Sequence, residues 1–93
     1  MDDRELIKQL ETLFRETGQA HHEAFVETGG EDPEWPLWYA QHALEKLQEL
    51  LNVGLTKSQL VYLLIAASNE QQVRAPGADW ARYYARFFQE RYT

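Results

Sequence analysis

The sequence predicts an all-α domain, a small bundle of four helices at about 3–27, 36–52, 57–72 and 80–92, with 1–93 as one helical domain. Three observations predict it. Apolar residues recur at three- and four-residue steps through most of the chain. The stretches they form are bounded by capping residues, glycine or proline. The run Leu60 to Ala67 holds no charge, and Tyr62 supplies its only side-chain polar atom. A helix apolar on nearly every side needs neighbours on several sides. The third helix is therefore expected at the centre of the bundle.

Asp2 or Asp3 can cap the first helix, and Leu6, Leu10 and Leu13 recur along it, with Ile7 and Phe14 widening the stripe. Ala20, Ala24 and Phe25 continue the stripe beyond Gly18, which marks the place for a bend or break. Thr28-Gly29-Gly30 stops the helix, because glycine readily takes the left-handed conformation that closes a C-terminus.

Asp32 before Pro33 is an N-cap and first-turn pair. Pro36 lacks the donor that a following turn would use. Either a short turn covers 33–35 before the helix, or the first turn is irregular. In the second helix Leu37, Ala40, Leu44, Leu47 and Leu51 alternate steps of three and four, the spacing of a packed seam. Asn52-Val53-Gly54 ends it, with Gly54 expected as the left-handed residue. Thr56 and Gln59 have the spacing of a capping box and open the third helix. Pro76-Gly77 forbids its continuation. Asp79 caps a fourth helix that carries Trp80, Tyr83, Tyr84, Phe87, Phe88 and Tyr92 in one wide stripe.

Composition narrows the function classes. The chain has 93 residues, no cysteine and a formal net charge of −6. Without cysteine there is no thiolate nucleophile and no disulfide frame. Met1-Asp2-Asp3-Arg4-Glu5 lacks the basic and apolar regions of a signal peptide. No apolar run approaches the roughly 20 residues that span a bilayer. The expectation is a soluble, cytoplasmic protein with no membrane partner. The acidic balance also argues against nucleic acid, whose binding needs a basic face. Between Arg15 and Lys46 there is no Lys or Arg, while Glu16, Glu23, Glu27, Glu31, Asp32, Glu34 and Glu45 fall in that interval. The C-terminal third leans basic through Lys57, Arg74, Arg82, Arg86 and Arg91.

Three constellations could carry chemistry. His21, His22, Glu23 and Glu27, with His42 and Glu45, are of the residue types that hold zinc or iron. They lack both His-Glu-x-x-His and Glu-x-x-His spacing. No metal or other cofactor is assigned. Leu50 to Leu63 has the outline of a helix-turn-helix, but its second helix offers only Lys57, Ser58 and Gln59 before it turns apolar. A structural corner is the simpler reading. The aromatic set Trp35, Trp38, Tyr39, Tyr62, Trp80, Tyr83 and Tyr84 suits a core, an interface or a ligand pocket.

No motif names a catalytic residue, and Ser58 and Ser68 both lie away from the histidines in sequence. The leading expectation is a non-enzymatic protein-interaction module that self-associates as a homodimer or meets another protein. Trp35, Trp38, Trp80, Tyr84 and Phe88 are its expected contact residues. The alternative is a small-molecule or metal-binding protein, with Trp35, Trp38, Tyr39, His42 and Tyr84 lining a pocket.

Overall fold

The computed structural model describes residues 2–92. Four α-helices and one 3-10 turn make up its regular structure: α1 Asp3–Ala24, the turn Val26–Thr28, α2 Trp35–Leu51, α3 Lys57–Arg74 and α4 Trp80–Tyr92. No helix among the described residues is long and apolar enough to cross a membrane.

Asp2 starts α1 by accepting a hydrogen bond from the Glu5 N–H at 2.8 Å. Leu6, Leu10, Phe14, Thr17 and His21 form its buried stripe. The helix runs through Gly18 without a break. Phe25 ends it, and Gly29 and Gly30 carry the chain round with φ of 71° and 86°. The expected helix to residue 27 thus stops a turn early, and a 3-10 turn takes its place.

Helix α2 begins at Trp35, after a short turn at Pro33 and Glu34. Asp32 acts from three residues back: its Oδ1 accepts from the Glu34 N–H and its main-chain oxygen from the Trp35 N–H. The helix closes on Asn52, which takes the left-handed conformation at φ 56°. Gly54 was the expected residue for that role. Asparagine tolerates the same region because its short amide can bond locally. In α3 both bonds of the Thr56–Gln59 capping box form, at 2.9 and 3.1 Å. Asp79 caps α4 by accepting from the Ala81 N–H.

The helices pack in a ring: α1 on α2, α2 on α3, α3 on α4 and α4 on α1. Phe14 of α1 and Phe88 of α4 are the largest fully buried side chains, with ring centroids 5.4 Å apart. Ala40, Ala43, Ala67, Ala81 and Ala85 are buried between the larger residues. These small side chains let the rings of α4 fold inward.

The expected central position of α3 is not what the packing shows. Leu60, Leu63, Leu64 and Ala67 face the core, but Tyr62 is 70% exposed and Ile65 43% exposed. Helix α3 is one wall of the ring, and its outer face has no cover among the described residues.

Candidate functional site

Helices α2, α3 and α4 meet at an aromatic corner. A cavity of about 220 Å³ opens there, lined by Trp35, Tyr39, Ser68, Trp80 and Tyr84. Trp35 and Tyr39 are neighbours one helical turn apart on α2. Trp80 is brought in by the Asp79 cap at the start of α4, and Tyr84 follows it by one turn. Ser68 comes from the fourth turn of α3.

The rings cross one another instead of stacking. Trp35 and Tyr39 lie 5.2 Å apart at 79°, Tyr39 and Trp80 6.3 Å apart at 67°, and Trp80 and Tyr84 5.5 Å apart at 85°. Burial pushes the Tyr39 hydroxyl up to about 12, with a smaller contribution from Tyr84. Burial also raises Tyr84, and its hydrogen bond with the Ser68 hydroxyl pulls the other way. Both phenols therefore stay protonated at neutral pH.

Tyr39 and Trp80 are shared with a second, more polar basin of about 520 Å³ between α1 and the Gly29–Gly30 loop. Gly18 forms part of its wall. A β-carbon at this glycine would lie 2.8 Å from the Trp80 ring and 3.3 Å from the Tyr39 hydroxyl. The glycine is needed for close approach, not for a bend. Arg15 borders the same basin and is held by Asp79 and Glu11. Its guanidinium keeps the Asp79 carboxyl below the usual carboxylate range, chiefly through their hydrogen bond.

Behind this basin sits a buried histidine. His21 Nε2 lies 3.2 Å from Asp32 Oδ2, and both side chains are nearly covered. An ionised carboxylate only accepts, so Nε2 is the donor in this bond. The imidazole is packed among Phe25, Trp38 and Tyr39, with ring centroids 4.7, 5.2 and 5.3 Å away. The pair ties the loop before α2 to the last turn of α1. A His–Asp pair can orient a base for a nucleophile. Here Thr17, one turn before His21, gives its hydroxyl to the Leu13 carbonyl. Ser68 is engaged with Tyr84 across the corner.

The residues singled out in the sequence divide into three groups. Trp35, Tyr39, Trp80 and Tyr84 converge on the cavity. Trp38 and His42 stack on each other at 5.0 Å and 10°, and neither lines the cavity. His42 is exposed, outside the pocket expected to enclose it. Phe88 is fully buried and belongs to the core, so its ring is not presented to a partner. The acidic and imidazole side chains do not gather: among the described residues no three His, Cys, Asp or Glu stand where they could hold a metal ion.

Sequence reasoning missed Ser68, the His21–Asp32 pair and the role of Gly18. One signal was present. Leu10, Phe14, Thr17 and His21 follow steps of four, three and four, which puts His21 on the buried stripe. Ser68 carried no signal, because its partner is distant in the chain.

Elsewhere, a groove between α1 and α4 gathers Arg4, Lys8, Arg82 and Arg86 around Ile7 and Glu11. It is the cationic counterpart of the acidic 16–45 interval. No protein-family model, curated protein or solved structure matches the chain.

Proposed function

We propose that the protein is a non-enzymatic interaction module that pairs with a second copy through the outer face of α3. One observation carries this reading: Ser58, Tyr62, Ile65, Asn69 and Gln72 follow steps of four, three, four and three, all are exposed, and none is charged. A solvent-facing helical strip is ordinarily rich in charge. In a chain of net charge −6, an uncharged strip is where two copies meet with least repulsion. An antiparallel pair about a two-fold axis would set Ile65 against itself, Tyr62 against Asn69 and Ser58 against Gln72. This contact closes at two copies.

The sequence suggested α4 as the self-association surface. Tyr84, Phe87 and Phe88 of that helix are buried in the core, and α3 is the better candidate. A head-to-tail match of the acidic interval with the Arg4–Arg86 groove would not close, and salt would weaken it. The α3 strip is about 21 Å long at 1.5 Å per residue, so its area falls at the low end for stable pairs. A dimer that forms in the micromolar range is expected.

Sedimentation across a concentration series tests this. The wild-type chain should dimerise, and added salt should leave the dimer intact or strengthen it. Tyr62→Glu with Ile65→Lys should give a monomer with unchanged helicity. A monomer at every concentration, or a dimer that both substitutions spare, rejects the reading.

A second reading concerns the aromatic corner as a small-ligand site. Its support is the convergence of three of the five residues expected to line a pocket, Trp35, Tyr39 and Tyr84, with Trp80 on one cavity.

A further inference from the structure

The groove between α1 and α4 runs against the charge of the rest of the molecule. In a chain of net charge −6, four of the nine Lys and Arg residues, Arg4, Lys8, Arg82 and Arg86, line one cavity of about 460 Å³. Its single carboxylate, Glu11, is already engaged. Arg15 lies 3.3 Å from it and Arg82 3.9 Å. Arg15 also holds Asp79 at the start of α4. These contacts set α1 and α4 antiparallel, with 15 beside 79 and 11 beside 82. One turn further on the alternation of signs fails. Arg4 and Lys8 share the groove with Arg86, and among the described residues none of the three forms an ion pair.

The chain's own carboxylates do not answer these cations. Glu5, beside Arg4 in sequence, accepts from the Gln9 amide. Arg4 stands in the first turn of α1, where the positive end of a helix disfavours a cation. Arg4 and Lys8, like Arg82 and Arg86, are cations one turn apart on the same helix. An anion laid in the groove relieves this repulsion.

The extent of the patch narrows the occupant. Each row of cations covers one turn, about 6 Å of helix. Asp3 and Glu5 flank the row on α1, and Glu90 follows one turn after Arg86. A continuous run of phosphates, as on nucleic acid or an anionic membrane, would meet these carboxylates and the acidic balance of the whole chain. An acidic protein segment spaces its charges among neutral residues and can bring two or three carboxylates to a short patch. Arginine suits them through its paired N–H donors. Ile7, half-buried in the groove, offers such a segment an apolar contact.

We propose that the α1–α4 groove docks an acidic segment of a partner protein, with its carboxylates on Arg4, Lys8, Arg82 and Arg86 and an apolar side chain on Ile7. The groove shares no residue with the uncharged strip of α3, so this surface is separate from pairing between copies.

The test is fluorescence anisotropy of a labelled peptide repeating Glu-Glu-Leu, titrated with the intact chain, with a Gln-Gln-Leu peptide as its neutral counterpart. At low salt the acidic peptide should bind at least about tenfold more tightly than the neutral one, and its affinity should fall as salt rises. Lys8→Gln with Arg86→Gln should lower that affinity at least about fivefold. The melting temperature of this variant should match the wild type, because neither side chain holds an ion pair in the fold. A lower melting temperature would mark the two cations as structural and overturn the proposal. Lys46→Gln with Lys57→Gln makes the same change in net charge outside the groove and should leave affinity within about twofold. Equal losses in the two double variants, or equal affinity for the two peptides, would overturn the proposal. Tighter binding of a poly-dT oligonucleotide or of phosphatidylserine vesicles than of the acidic peptide would reassign the groove to phosphate and overturn the protein partner. Salt-sensitive assemblies beyond a dimer that Lys8→Gln with Arg86→Gln dissolves would show the groove filled by the acidic interval of another copy, and overturn a separate partner.

Discussion

Gly18 has no side chain, and Trp80 uses the space. Replacing it with alanine sets two effects against each other. Alanine gains about 1 kcal/mol in helix propensity. Its β-carbon also meets the rigid Trp80 ring at 2.8 Å, which forces the ring or α1 to move. Such overpacking costs about 1–3 kcal/mol. Gly18→Ala should therefore leave stability unchanged or lower it by up to about 2 kcal/mol, with a changed Trp80 environment. A denaturant midpoint that rises, with tryptophan emission unaltered, would show that the contact is loose. At the same scale, Tyr39 links burial to pH. Its hydroxyl ionises at about 12 in the fold against 10.0 in the free side chain. The folded state keeps the proton when the unfolded chain has lost it, so stability is full below pH 10 and falls as pH rises from 10 towards 12. Tyr39→Phe should flatten that alkaline loss in melting curves recorded from neutral pH upward. An unaltered slope would mean that other tyrosines carry it.

At the scale of the element, each helix owes its start to a local cap and its position to distant packing. Thr56 and Gln59 satisfy two main-chain donors at the start of α3 through contacts only three residues apart. The outer face of that helix adds little packing, so the cap should matter. Thr56→Ala should destabilise the chain by about 1 kcal/mol, measured by urea unfolding, and Thr56→Ser by much less. Helix α4 shows the opposite balance. Its ring stripe was legible in the spacing, but spacing alone left open whether the rings were core or surface. Ala40, Ala43, Ala67, Ala81 and Ala85 settle the matter, because they leave room for Tyr84, Phe87 and Phe88 inside the ring of helices. The same stripe divides lengthwise. Phe88 is lost in the core, while Trp80 stays at the cavity mouth with Tyr84 beneath it.

At the scale of the whole molecule, the proposed functions occupy different faces. The outer strip of α3 is exposed and uncharged. The aromatic corner is a small, open cavity of about 220 Å³. Substitutions at Tyr62 and Ile65 should therefore leave ligand titrations at Trp35 and Trp80 unchanged. The acidic interval and the Arg4–Arg86 groove make the surface electrically uneven. Solution behaviour should respond to salt even where pairing through α3 does not.

The sequence by itself determined that the chain is helical and where its helices begin. Capping residues, glycines and apolar spacing act within a few positions, so Asp2, Thr56, Asp79 and the Gly29–Gly30 stop could be read from neighbours. It also marked Trp35, Tyr39, Trp80 and Tyr84 as worth attention, by residue type alone. Only the tertiary structure decided which of the rings share a cavity. It turned Phe88 inward, left His42 outside, paired His21 with Asp32 and exposed the strip of α3. The physical reason is that burial and ring contact depend on which helix lies alongside. Residues 50 or 60 positions apart, such as Gly18 and Trp80, leave no mark of their meeting in local periodicity.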